Sequence, residues 1–94
     1  MELPDYTSLS DATDDLLKRG FTISFTSNDY KKLIPADWII VEFHRFEGMS
    51  NVSDNNIVYG IENTQTGEKA IIVNAYGLYH DPIINNFTRQ LKKR

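Results

Sequence analysis

Arg45 and Glu47 stand two residues apart in a stretch that reads as β-strand, so their side chains share one face. A guanidinium steadied by a neighbouring carboxylate binds anions. The same pair also serves as a surface ion pair that fixes the next loop, worth under ~1 kcal/mol. A second group lies downstream in the aromatic segment Tyr76-Gly77-Leu78-Tyr79-His80. Arg45, Glu47, Tyr76, Tyr79 and His80 together form the candidate ligand-binding set. With Phe46 and Tyr59, the tyrosines either wall a groove for a peptide or planar ligand, or close the core edge with their phenol groups in water. A small domain needs its aromatics for stability, which favours the second reading. Tyr79 is the tyrosine expected to be partly exposed.

Other constellations are thinner. His44 and His80 are the chain's two histidines, and Glu47, Asp54 or Asp81 could join them around a metal or in proton transfer. Their spacing matches no paired-ligand pattern, so neither a metal site nor a cofactor is expected. Ser50, His44 and Asp54 can be drawn as a nucleophilic triad, but no nucleophile elbow accompanies them. Ser50, Ser53 and Asp54 suit side-chain-to-backbone turn bonds instead. No catalytic residue is assigned.

Composition narrows the function classes. A chain of 94 residues supports one domain, residues 1–94, with one thin core. Its net charge of −3 disfavours nucleic acid, whose binding draws on Lys and Arg neutralising phosphates. No apolar run is longer than that of Trp38 to Val41, far short of the roughly 20 residues of a membrane span. The chain has no cysteine, which removes disulfides and thiolate metal sites. Met1-Glu2-Leu3-Pro4-Asp5 lacks the basic flank and apolar run of a secretion signal. The expected location is cytoplasmic.

The elements that must position these residues read as α-β-β-β-β-α, an α+β fold with a four-stranded antiparallel sheet and a helix at each end. Leu9 to Arg19 is helical, with Ser8 as N-cap, Leu9, Ala12, Leu16 and Thr13 on one face, and Gly20 as the stop. Phe21 to Thr26 alternates apolar and hydroxyl residues as a half-buried strand should. Ser27 to Asp37 connects, with one helical turn capped by Asn28 or Asp29 and ended by Pro35. Trp38 to Phe46 is a central strand. Strict alternation puts Trp38, Ile40, Glu42, His44 and Phe46 on one face, and Ile39, Val41, Phe43 and Arg45 on the other.

A polar loop over Glu47–Asn55 leads to a strand over Asn56–Asn63, with Ile57, Tyr59 and Ile61 aligned. Thr64-Gln65-Thr66-Gly67 forms a hairpin with Gly67 at positive φ. Glu68 to Ala75 returns, with Ile71, Val73 and Ala75 toward the core. Asp81 caps a last helix with Pro82 at its first position, and Ile83, Ile84, Phe87 and Leu91 are its apolar stripe. Lys92-Lys93-Arg94 is its solvated, dipole-favoured end. The two helices are expected to cover one side of the sheet.

Three stretches, His44-Arg45-Phe46-Glu47-Gly48-Met49-Ser50-Asn51, Ile57-Val58-Tyr59-Gly60-Ile61 and Val73-Asn74-Ala75-Tyr76-Gly77-Leu78-Tyr79, carry a resemblance. With the opening Leu9–Phe21, they resemble a family of small bacterial proteins of unknown function, often labelled phosphoribosylpyrophosphate synthetase. The family carries an acidic residue where Asn74 stands and a proline where Val52 stands. Diphosphate transfer needs a loop that cradles phosphates at a helix N-terminus and carboxylates that place a metal. The five glycines of this chain are isolated, and no alternation of strands and helices builds a parallel nucleotide-binding sheet.

Two functions follow as expectations. One is a non-catalytic protein-interaction module, its partner meeting the acidic helix face (Asp11, Asp14, Asp15) or the Gly48–Asn56 loop. The other is a small-ligand binder or minor enzyme using the patch around Arg45, Glu47 and Tyr79.

Overall fold

The computed structural model describes residues 9–46, 56–75 and 81–94. The first helix, α1, spans Leu9–Lys18, with Asp11 in its first turn and Lys18 in its last, both matched to the helix dipole. It ends in paired backbone bonds: the Phe21 N–H donates to the Leu16 carbonyl (3.0 Å) and the Gly20 N–H to that of Leu17 (3.1 Å). This closure needs a left-handed residue, and Gly20 supplies it at φ +100°. Ala12 and Leu16 are fully buried. Ser8, the expected cap, lies outside the described residues.

The chain then crosses from one sheet face to the other. Phe21 packs with α1, whereas Ile23 and Phe25 pack on the opposite face. Only Ile23–Ser24 forms a strand, β1, so the expected strand over Phe21–Thr26 is corrected to two residues. Helix α2 begins at once, over Ser27–Tyr30. The Thr26 N–H (2.8 Å) and hydroxyl (3.0 Å) both donate to Asp29 Oδ2. These bonds, the backbone one foremost, hold the Asp29 carboxyl below its ordinary pKa. Pro35 does not end this helix; it opens a separate 3₁₀ turn, Pro35–Asp37.

Strands β2 (Trp38–Phe46) and β3 (Asn56–Asn63) have the expected bounds, and β4 runs over Lys69–Ala75. The hairpin between β3 and β4 is organised by Asn63. Its Oδ1 accepts from the Gln65 N–H (2.8 Å) and the Thr66 N–H (3.1 Å), and its carbonyl accepts from Gly67 (2.8 Å), which sits at φ +80°. Helix α3, Pro82–Arg89, starts on Asp81, whose Oδ1 accepts from Ile83 (2.8 Å) and Ile84 (3.4 Å). The Asp81 N–H in turn donates to Asn74 Oδ1 (2.9 Å), which ties the cap to β4.

The expected helix end at Lys92–Arg94 is corrected as well. The helix stops at Arg89, Gln90 is its C-cap, and Lys92–Lys93 form a short strand, β5. The sheet therefore has five strands in the order β1-β4-β3-β2-β5, with two parallel edge pairings around the antiparallel β2-β3-β4 meander. The fold is α+β with a mixed sheet, not four antiparallel strands alone. Phe46 pairs with Asn56, and Asn56 with Ala75.

Both faces of the sheet are covered, which corrects the one-sided arrangement. On one face α1 packs with Phe21 and Val58; on the other, Tyr30, Trp38, Ile40, Ile61, Ala70, Ile72, Phe87 and Leu91 form the larger core. In β4, Ala70 and Ile72 thus face the main core, while Val73 is exposed. Each fully buried Leu, Val or Ile here contributes about 1.5–3 kcal/mol. No helix among the described residues is long and apolar enough to cross a membrane.

Candidate ligand-binding site

One irregularity in β2 decides which side chains meet. Its pairing with β3 runs Ile40 to Ile61, then Glu42 to Gly60, so Val41 is bulged out of register. A bulge inserts one residue and reverses the facing of everything after it. Trp38 and Ile40 face the main core, Val41 faces α1, and Phe43 returns to the main core while Phe46 packs toward α1. The two expected faces of this strand therefore exchange beyond Val41.

Past the bulge, Phe43 pairs with Tyr59, and Arg45 with Ile57. The Phe43 and Tyr59 rings lie 6.2 Å apart, tilted by 37°. Together with Ile40, Ile57 and Leu91 they line a pocket of about 220 Å³, closed on its other side by Asn85, Thr88 and Arg89 of α3 and by Lys93 of β5. The buried Thr88 hydroxyl donates to the Asn85 carbonyl (3.1 Å). Lys93 Nζ stands 4.8 Å from the Phe43 ring centre and the Arg45 guanidinium 5.8 Å from it. Such contacts are worth about 0.5–1 kcal/mol at exposed sites.

Three cations, Arg45, Arg89 and Lys93, thus border an aromatic and aliphatic floor. None of them makes an ion pair with another described residue. Two described carboxylates of the neighbouring strands are engaged elsewhere: Glu62 accepts from Arg94 (2.9 Å), and Glu42 pairs with Arg19. The described lining holds no carboxylate, histidine or cysteine, so it offers charge and shape but no base for proton transfer at neutral pH.

Of the sequence-derived set, Arg45 stands at this pocket; Glu47, Tyr76, Tyr79 and His80 lie outside the described residues, as do Ser50, Ser53 and Asp54. His44 belongs to the opposite face, its Nε2 3.8 Å from Glu42 Oε2. Among the described residues no three His, Asp or Glu side chains gather as metal ligands. Arg89 and Lys93 are visible in the sequence as basic residues near its end. Their convergence on Arg45 is not, because it depends on the chain leaving α3 and joining the sheet beside β2. Compared with models of protein families, with curated proteins and with solved structures, the chain matches none.

Proposed function

We propose that this chain is a non-catalytic small-ligand binder, with its site in the pocket between α3 and the sheet. The observation that carries the reading is the concave floor of Phe43 and Tyr59 with polar side chains converging on it from three elements. Binding sites combine mostly apolar walls with a few placed polar groups. The volume of about 220 Å³ is below the roughly 300–1,000 Å³ of pockets for drug-sized ligands, so the occupant is small. Arg45, expected from the sequence to take part, lines this pocket and is given the same part in this reading. A fragment screen by amide chemical shifts tests the reading. Shifts should cluster on Ile40, Phe43, Tyr59, Thr88 and Leu91. Fragments that bind only along α1, or a screen with no hits at millimolar concentration, would sink it.

A second reading, the protein-interaction module, gains support from a different surface. Ile34 is 59 % exposed and Ile83 39 %, and they border two larger concavities, of about 410 and 500 Å³, made by the Ser27–Asp37 connection, α3 and the β2–β5 edge. Exposed apolar side chains grouped in this way are typical of partner-binding surfaces. The acidic face of α1 adds less, because Asp15 is engaged by Arg19 at 3.0 Å. Ile34→Asp should abolish capture of a partner in crosslinking at native abundance while leaving the fold intact. Unchanged capture removes this surface from consideration.

A further inference from the structure

We infer that the pocket takes a small organic carboxylate with a ring or branched apolar body. This rests on the ligand-binding reading and names the class of molecule.

The argument starts from charge. The chain carries 13 acidic and 10 basic residues, yet the described lining of its Phe43–Tyr59 pocket carries three cations and no acid. Lys93 and Arg94 point to opposite sides: Lys93 over Phe43, and Arg94 onto Glu62. Arg94 is thus neutralised locally, whereas Lys93 has no ion pair among the described residues. Gathering Arg45, Arg89 and Lys93 around one concavity raises the potential inside it, and an entering anion relieves that repulsion. An arginine fork fits a carboxylate or a phosphate through paired N–H bonds.

The walls choose between those two anions. Ile40, Phe43, Ile57 and Leu91 offer inorganic phosphate no hydrogen bond, and no helix N-terminus stands in the described lining: α3 contributes Asn85, Thr88 and Arg89, its middle and C-terminal end. A phosphate cradle uses backbone N–H groups at the start of a helix. A carboxylate with an apolar body uses the whole lining, its charge at the cationic rim and its body on the aromatic floor. The cavity is too small for a nucleotide and large enough for a single ring.

The test is a set of paired titrations of the full chain, followed by amide shifts. Ring and branched-chain carboxylates, benzoate and isovalerate among them, are each compared with their neutral amide and with inorganic phosphate. The carboxylates should shift Ile40, Phe43, Tyr59, Leu91 and Lys93, bind at least about tenfold tighter than their amides, and weaken with added salt. Arg45→Gln, at an exposed position, should cut carboxylate affinity about tenfold without altering amide binding or the rest of the spectrum. Amides that bind the pocket as tightly as their acids would overturn the inference and leave the ligand-binding reading standing. Phosphate binding as tightly as benzoate would overturn the apolar half of it. Silence from acids, amides and phosphate alike would remove both the inference and the reading beneath it.

Discussion

Arg19, just past the end of α1, donates to Glu42, a carboxylate only 3 % exposed in the middle of the sheet. Asp15 holds the same guanidinium through Nε at 3.0 Å, so Arg19 is gripped from its own helix and from β2. The bulge in β2 is what lets the two meet. Were Val41 paired in register, Glu42 would face the main core with Trp38 and Ile40, on the side of the sheet away from Arg19 and α1. The bulge delivers the charge to Arg19 and, in the same step, turns Phe43 and Arg45 toward α3. The internal ion pair and the candidate site are two outcomes of one irregularity.

Removing Arg19 therefore leaves a buried carboxylate short of its main partner. Arg19→Met should destabilise the protein by about 2–3 kcal/mol in urea unfolding, the range for losing one side of a charged, largely buried contact. Glu42→Gln should cost less, since its amide oxygen still accepts from Arg19. The Arg19→Met, Glu42→Met double variant should recover part of the loss, because two apolar side chains suit the surroundings of Leu16, Phe21 and Val58. Losses that simply add, to within about 0.5 kcal/mol, would show that the two residues are not coupled.

Two glycines are required for unrelated reasons, and substitutions separate them. A Cβ on Gly60 would stand 3.0 Å from Phe21 Cε1 and 3.1 Å from Leu16 Cδ2, both buried beneath α1. Gly60→Ala should cost about 1–3 kcal/mol through overpacking. Gly67 has nothing within 4 Å of that position but lies at φ +80°. Gly67→Val should cost about 1–2 kcal/mol through the left-handed backbone alone, and Gly67→Asn much less. Shortening Leu16 to Ala should offset part of the Gly60→Ala loss and none of the Gly67→Val loss. Equal effects of Leu16→Ala in both backgrounds would refute the steric account of Gly60.

The sequence made local features legible where one short-range rule governed them. Gly20 and Gly67 announced positive φ, Asp81-Pro82 announced a helix start, and β2 and β3 had the right ends. Long-range pairing was a different matter. Alternation from Phe21 to Thr26 is real, but Phe21 serves α1 and Phe25 the opposite face, so the segment crosses the sheet and only Ile23–Ser24 pairs. The Lys92-Lys93-Arg94 run looked like a solvated helix end because its partner, the edge of β2 at Ile39 and Ile40, lies more than fifty residues back. Covering both faces of the sheet also escaped the pattern, since β4 offers apolar residues to each side. At the site, Arg45 was identifiable by type, but its facing was not. A bulge has no signature in alternation except as a buried charge in the wrong place, and Glu42 was that signal.

The alkaline limit of stability should belong largely to Tyr30. It is buried against Phe25 and Phe87 in edge-on contacts, with centroids 5.8 and 5.4 Å away. Burial above all, with the charges of Asp81 and Asp29 behind it, pushes its phenol from 10.0 up to about 12. The neutral form is the one favoured by the fold. Its contribution is therefore complete below pH 10 and is lost as pH climbs from there to about 12, by up to about 3 kcal/mol for a shift of this size. Tyr30→Phe cannot ionise, so its unfolding midpoint should fall less between pH 9.5 and 11.5 than that of the unaltered protein. Absorbance at 295 nm should show one tyrosine fewer titrating late. Parallel pH profiles for the two proteins would mean that ionisation of Tyr30 does not limit the fold in base.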